Sequence, residues 1–344
     1  MWCGRRLAVK IERLDLGKVD WEELDSFPDR TVFQTREWLD FVSRTQGAEP
    51  VVAAVVDGGA TVGYFTGMIV KRYGVRILGS PLPGWTTGSM GFNLEPGVSR
   101  RDAVRALVDF SFRTLGCMHL ELKDRQLATS DVAGLEFEAT PKRTFELDLT
   151  LSEEEMFARM SKSCRTAIRK STREGVVVAE ASGVAFADEY YAQLREVFAR
   201  QSLRPTYGVS LVRELIRCLE PTGRLLLLRA VAPDGQTIAT AISLGMNGFA
   251  YMWGAASWRR YQIMRPNEAI YWHEMRHWKA RGMTVCDMGG GGVYKRKFGP
   301  REFRASFVRR SRFPGVMLLR EGAGLLARAR QTRRGIPIEA VGSP

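Results

Sequence analysis

Three stretches of this sequence hold residue types whose spacing allows chemistry. Arg259, Arg260 and Arg265 stand just before a helix expected to start near Asn267. The unpaired N–H groups and the dipole of a helix start already favour an anion, and three guanidinium groups add charge, so this is a phosphate site in outline. A strand expected over 284–288 then runs through Asp287 into four glycines, 289–292, followed by Lys295, Arg296 and Lys297. Glycines allow close backbone approach to a ligand, Lys295 and Lys297 can be aimed at phosphates, and Asp287 can orient an amine or take its proton. A solvated turn with a capping aspartate is the plainer reading of the same residues. On a helix expected over 163–174, Arg165, Arg169 and Arg173 fall at i, i+4 and i+8 and share a face able to grip a nucleic-acid backbone; a charged solvent face is the alternative.

His273-Glu274-Met275-Arg276-His277 is a literal HExxH, which on a helix places two imidazoles side by side with a glutamate between them and reads as a zinc peptidase. A catalytic zinc needs a third protein ligand. The other histidine, His119, is far upstream, and Glu302 has no supporting motif, so no metal is expected.

The elements that would position these groups are legible in outline. A helix-like segment over 21–45 is followed by alternating runs at 51–56, 61–70 and 75–78, a Gly- and Pro-rich loop at 80–96, an amphipathic helix over 101–115, and strands near 118–122 and 145–149. Ser152 with Glu155 forms a capping box that opens a new unit. Helices are expected at 163–174, 186–201 and 209–219, then a meander of strands at 223–231, 237–244 and 249–253 turning at Asp234-Gly235 and Asn247-Gly248, then a helix over 267–281 and the strand into the glycines. Both halves therefore share one order of antiparallel strands, helix and further strand.

A chain of 344 residues exceeds one hydrophobic core, and 45% hydrophobic with 26% charged residues is enough for two. No apolar run is long enough to span a bilayer, and the first residues lack the pattern of a signal peptide, so a cytoplasmic protein is expected. Its five cysteines are widely spaced and read as reduced thiols. The net charge of +13 is uneven: residues 1–145 hold 19 basic and 19 acidic side chains, so the whole excess follows residue 145. That suits a polyanionic partner, or solubility in an arginine-rich proteome.

Three segments together resemble the Fem-type and BioF2-like branch of the GNAT acyltransferase superfamily. They are Met160 to Lys170 continuing to Arg173-Glu174-Gly175-Val176, the helix over 267–282 with Asp287, Gly289 and Gly290, and Tyr294-Lys295 with Phe298-Gly299. Phe33-Gln34-Thr35 before Trp38 adds a weaker match in the first half. The resemblance implies an α/β (α+β) chain of two tandem GNAT-like domains, 1–145 and 146–315, each a mixed, mostly antiparallel sheet flanked by helices, with a basic helical tail, 316–344, packing back on the first. It implies an N-acyltransferase that moves an aminoacyl group from aminoacyl-tRNA, or an acyl group from acyl-CoA, onto an amine of a cell-envelope precursor such as a peptidoglycan building block, or of a small metabolite.

Neither donor is a tightly bound cofactor. The stretch at 259–267 lacks the glycine-rich loop that grips the CoA pyrophosphate in GNAT enzymes, which tilts the donor toward tRNA. Such a reaction needs an amine positioned against an already activated carbonyl and a stabilised oxyanion. Asp287 and Lys295 are the expected catalytic groups, Arg259, Arg260, Arg265, Asn267 and Lys297 the donor ligands, and Arg165, Arg169 and Arg173 the RNA contacts. Arg36, Trp38, Arg204, Tyr207, Tyr251 and Trp253 are expected to line the acceptor channel, although strand aromatics also serve as core. The zinc peptidase and a non-catalytic nucleic-acid-binding module are the rival readings; no zinc knuckle, RRM signature or KH loop supports the latter.

Overall fold

The computed structural model describes residues 9–315 apart from 73, 85, 291 and 314; the tail 316–344, with the helix expected between Arg320 and Arg334, lies outside them. The described residues form two compact units, residues up to 142 with those from 304 onward, and residues 143–303.

The first unit contains β1 (Lys10–Arg13), α1 (Trp21–Asp25), α2 (Arg36–Gln46), β2 (Glu49–Asp57), β3 (Ala60–Arg72), β4 (Val75–Ser80), β5 (Gly91–Leu94), α3 (Arg100–Asp109), β6 (His119–Lys123) and α4 (Thr129–Val132). The segment expected as one helix over 21–45 is broken. Pro28 cannot continue α1, and extended Thr35 restarts the chain as α2 by accepting the Trp38 N–H on its hydroxyl. The sheet runs β1-β2-β3-β4-β6, with β5 also on β3, and every pair but β4–β6 is antiparallel. Val51, Phe65, Leu78, Val104 and Leu107 form its core with α3 against one face.

β7 (Glu138–Asp148) leads into the second unit, which holds α5 (Glu153–Arg159), α6 (Lys162–Arg173), β8 (Val177–Ala181), α7 (Phe186–Ala199), α8 (Val209–Leu219), β9 (Leu225–Val231), β10 (Thr237–Met246), β11 (Phe249–Ser257), α9 (Pro266–Ala280) and β12 (Val285–Asp287). The capping box forms, Ser152 N–H donating to Glu155 Oε2 at 2.8 Å and Glu155 N–H to Ser152 Oγ at 3.1 Å. The sheet order is β7-β12-β11-β10-β9-β8, antiparallel except for β11–β12. The meander β9-β10-β11 turns tightly at Asn247 and Gly248, whose φ of 48° and 77° give the twist that a two-residue hairpin needs. α9 lays Ile270, Met275 and Trp278 on the sheet. Gly245 makes room for this, since a Cβ there would lie 2.3 Å from the Trp278 ring.

A last strand, β13 (Arg301–Ser311), carries the chain out of the second unit. Its end pairs antiparallel with β6, Phe307 with Lys123 through Ser311 with His119, so residues from 304 group with the first unit where a second domain continuing to 315 was expected.

Candidate functional site

The second unit contains one place where its sheet opens. β11 and β12 pair in parallel at Phe249–Val285, Ala250–Cys286 and Tyr251–Asp287, where β12 ends while β11 continues to Ser257. β11 bulges just beyond this point. Gly254 faces Ile242 and Met252 faces Ser243, so Trp253 has no partner residue on β10 and its peptide is lifted out of the ladder. The Trp253 side chain is 9% exposed, and its indole N–H is buried without a hydrogen-bond partner. Its ring lies 5.4 Å from that of Tyr207 and 6.4 Å from that of Tyr190, whose hydroxyls bond each other at 2.8 Å. Burial pushes the Tyr207 hydroxyl up to about 12, so both tyrosines are neutral. Gly254 is needed here because a Cβ would come within 2.3 Å of Tyr190 Oη.

Across the opening, the turn after β12 is pinned from below. Asp287 Oδ1 accepts the Thr144 hydroxyl at 2.5 Å and the Gly289 N–H at 2.7 Å. Gly289 and Gly290 have φ of +64° and +56°, and a Cβ on Gly289 would lie 3.1 Å from both the Met252 carbonyl oxygen and Tyr251 Oη. Two consecutive left-handed residues this close to β11 have to be glycine. Lys295 folds back beneath the turn and is 8% exposed; its Nζ donates to the Met288 carbonyl at 2.6 Å and the Gly290 carbonyl at 3.5 Å. Burial lowers its pKa from 10.5 to about 8, against the opposing pull of Asp287. Asp287 and Lys295, expected as catalytic, are thus brought to one turn, and Asp287 is also the capping aspartate of that turn.

The start of α9 differs from the expected phosphate site. Arg265 takes the cap position with φ +59°, Pro266 occupies the first turn without an N–H, and Glu268 places a carboxylate in the same turn. Lys297, expected as a donor ligand, instead bonds Glu268 Oε1 at 2.8 Å, with the Glu268 side chain 10% exposed. The positive end of this helix is therefore already complemented from within the protein. Arg259, Arg260 and Arg265 remain exposed and Asn267 half-buried; Arg260 lies over the rings of Trp258 and Tyr261.

The remaining expected residues are scattered. Arg165 is turned toward the end of α5, donating to the carbonyls of Ala158, at 3.0 Å, and Met160, so the three arginines of α6 are not one open stripe. Arg169 is exposed over Phe157, and Arg173 is exposed. Trp38 is a correction: it is fully buried between Phe33 and Phe41, with its indole N–H on Thr87, and belongs to the core of the first unit. Arg36 and Arg204 are exposed, and Tyr251 is half-buried with its hydroxyl beside Gly289.

The HExxH helix does not build a peptidase site. Glu274 is 1% exposed and faces the core, with Ser243 bonded to one carboxylate oxygen, and burial raises its pKa from 4.5 to about 8. His277 Nδ1 is paired with Glu180 at 2.9 Å. A glutamate inside the core cannot activate water held by the two imidazoles. A separate cleft of about 500 Å³ lies between Glu189, Gln193, Asp234, Thr237 and Trp258, where Glu189 is held by Arg229 in two bonds of 2.7 Å. Sequence reasoning missed the Trp253 bulge, Tyr190 and Thr144; of these only Gly254, a glycine within a strand, signalled an irregularity in advance.

Parallel strands whose pairing stops just before a bulge can hold an extended donor against an acceptor. Residues 158–296 match the Acetyltransferase (GNAT) domain family. No curated protein matches the chain. Among solved structures it is similar to FemX, with 12% identity, 86% of this chain and 96% of that one covered, and a TM-score of 0.71. It is also similar to a tandem GNAT protein from the clavulanic acid biosynthesis pathway, with 14% identity, 89% and 99% covered, and a TM-score of 0.55. A third is the C-terminal domain of a putative lysylphosphatidylglycerol synthetase from Agrobacterium fabrum, with 13% identity, 77% and 85% covered, and a TM-score of 0.51. The likeness to these structures is one of fold, two GNAT-like units in tandem. Among the described residues no helix is long and apolar enough to cross a membrane, and no group of three or more His, Cys, Asp or Glu could hold a metal ion.

Proposed function

We propose that the chain is an N-acyltransferase whose donor ester or thioester lies between β11 and β12 and whose acceptor amine approaches past Trp253 and Tyr207. The observation that carries this reading is the opening itself: a bulged strand and a pinned glycine turn facing each other where the parallel pairing stops. The peptide N–H that the bulge lifts out of the ladder at Trp253 is the donor assigned to the oxyanion.

An incoming ammonium must lose a proton before its lone pair can attack. Neutral Lys295 would donate its two N–H groups to the Met288 and Gly290 carbonyls and keep one lone pair for that proton, and a pKa of about 8 makes the neutral form accessible. Asp287 holds the turn through Gly289 and so positions Lys295. The reaction needs no nucleophile from the enzyme, because the carbonyl arrives activated. An amine of a cell-envelope precursor fits the likeness to FemX, and exposed Arg259, Arg260 and Arg265 are assigned to the donor's anionic part.

The test is mass spectrometry of products after offering charged tRNA and acyl-CoA pools together with amine-bearing envelope precursors. A new amide formed by the wild type and lost in Lys295→Met is expected. No amide from any activated donor would sink the reading.

A further inference from the structure

We infer that the acyl donor is delivered by an acidic carrier protein, as a thioester on a phosphopantetheine arm, and that this carrier docks on the second unit around the start of α9. The inference rests on the N-acyltransfer reading above and names its donor class.

Among the described residues, five large apolar side chains are exposed, and three of them lie on the two segments that flank the start of α9: Ile263 at 69%, Val293 at 67% and Tyr294 at 54%. Both segments are anchored at the start of α9. The Tyr294 hydroxyl meets Tyr271 Oη at 3.2 Å and Lys297 meets Glu268 at 2.8 Å, both within the first two turns, while Ile263 lies two residues before the cap, Arg265. Exposed cations surround them. Among the described residues no carboxylate pairs with the side chains of Arg259, Arg260 or Arg265, and Arg296 comes only within 3.9 Å of Glu302. The surface thus combines protruding apolar groups with exposed guanidiniums, three of which have no carboxylate partner among the described residues.

That mixture discriminates between partners. A nucleotide pyrophosphate would use the helix start, which Pro266, Glu268 and Lys297 have already occupied, and it leaves the aliphatic side chains unexplained. Single-stranded RNA ends are gripped by stacking on aromatic rings, and of the three exposed groups only Tyr294 offers one, whereas Ile263 and Val293 do not. An acidic amphipathic helix supplies both complements, carboxylates for the arginines and an apolar stripe for Ile263 and Val293. Its arm then enters beside Tyr294, on the segment that carries Lys295. In the transfer, the amine nitrogen attacks the thioester carbonyl and the C–N bond forms. The C–S bond breaks, the arm leaves as a thiolate that takes up the proton shed by the attacking nitrogen, and the proton that Lys295 had taken from the incoming ammonium passes on to solvent.

The test measures binding of the full chain to a purified acidic acyl carrier protein, acylated on its arm, by fluorescence anisotropy at low and moderate salt. Binding is expected to weaken about tenfold in each of Ile263→Asp and Arg260→Glu, the loss typical of one central contact, and to weaken with salt. Unchanged affinity in both variants overturns the docking surface. Absence of carrier binding, with amide formed from acyl-CoA or aminoacyl-tRNA instead, overturns the inference and leaves the N-acyltransferase reading standing. Affinity for vesicles of anionic phosphatidylglycerol or for uncharged tRNA that exceeds affinity for the carrier, and is lost in the same variants, assigns the surface to that partner and overturns the inference as well. If no donor of any kind yields an amide, it is the underlying reading that fails.

Discussion

Replacing Glu274 by Gln removes a buried acid without changing its shape, and its effect can be worked from the structure. The carboxyl is 1% exposed and ionises near 8 in place of 4.5, because burial penalises the charged form more than the Ser243 bond helps it. Between these two values the folded chain binds a proton that the unfolded chain has released, so stability falls as pH rises. At about 1.4 kcal/mol per pH unit, the cost is under about 1 kcal/mol at pH 5 and about 3 kcal/mol at pH 7. Wild type should therefore lose about 2.5 kcal/mol over that interval relative to Glu274→Gln, whatever the amide itself costs at pH 5. Urea denaturation of both proteins at the two pH values reads this directly as a divergence in midpoint. Parallel pH dependence would show that Glu274 is solvated and ionised, and would reopen the peptidase reading of the HExxH helix.

Gly254→Ala should destabilise the chain by about 1–3 kcal/mol, since the new methyl meets Tyr190 Oη at 2.3 Å and one of the two must shift; an unchanged urea midpoint would contradict the close packing at the bulge. Trp253→Phe removes an indole N–H that has no partner, so stability should stay within about 1 kcal/mol while KM for the amine rises. An unchanged KM takes Trp253 out of the acceptor assignment. Wild-type turnover should rise with pH and level off above about 8 as Lys295 loses its proton, and this step should be missing in the residual rate of Lys295→Met. The same step in both proteins would assign the titration to another group.

Where periodicity and turn chemistry agreed, the fold was readable: the meander through Asn247-Gly248, the helix before β12 and the glycine turn all lie where local signals put them. β13 was missed because its run, Arg-Glu-Phe-Arg-Ala-Ser-Phe-Val-Arg-Arg-Ser, is too charged to look like a buried strand, and β5 because it sits within a Gly-rich loop. The site was legible as residue types and less so as partnerships. Nothing local shows that Lys297 will meet Glu268, 29 positions away, or that Trp38 will be core, since both depend on how distant elements pack. The bulge that lifts Trp253 depends on a register shift between two strands, which a single strand's pattern does not encode.

The return of the chain through β13 has a consequence for how the protein can be made. β6, already paired with β4 on one edge, gains its second partner only from residues 307–311, after the whole second unit has been synthesised. A nascent chain halted near residue 142 would leave one edge of His119–Lys123 with unmet peptide groups, open to pairing with a neighbouring molecule. Vectorial folding from the ribosome is therefore complete for the second unit before it is complete for the unit that precedes it, and a fragment ending at residue 142 should clump rather than stay in solution.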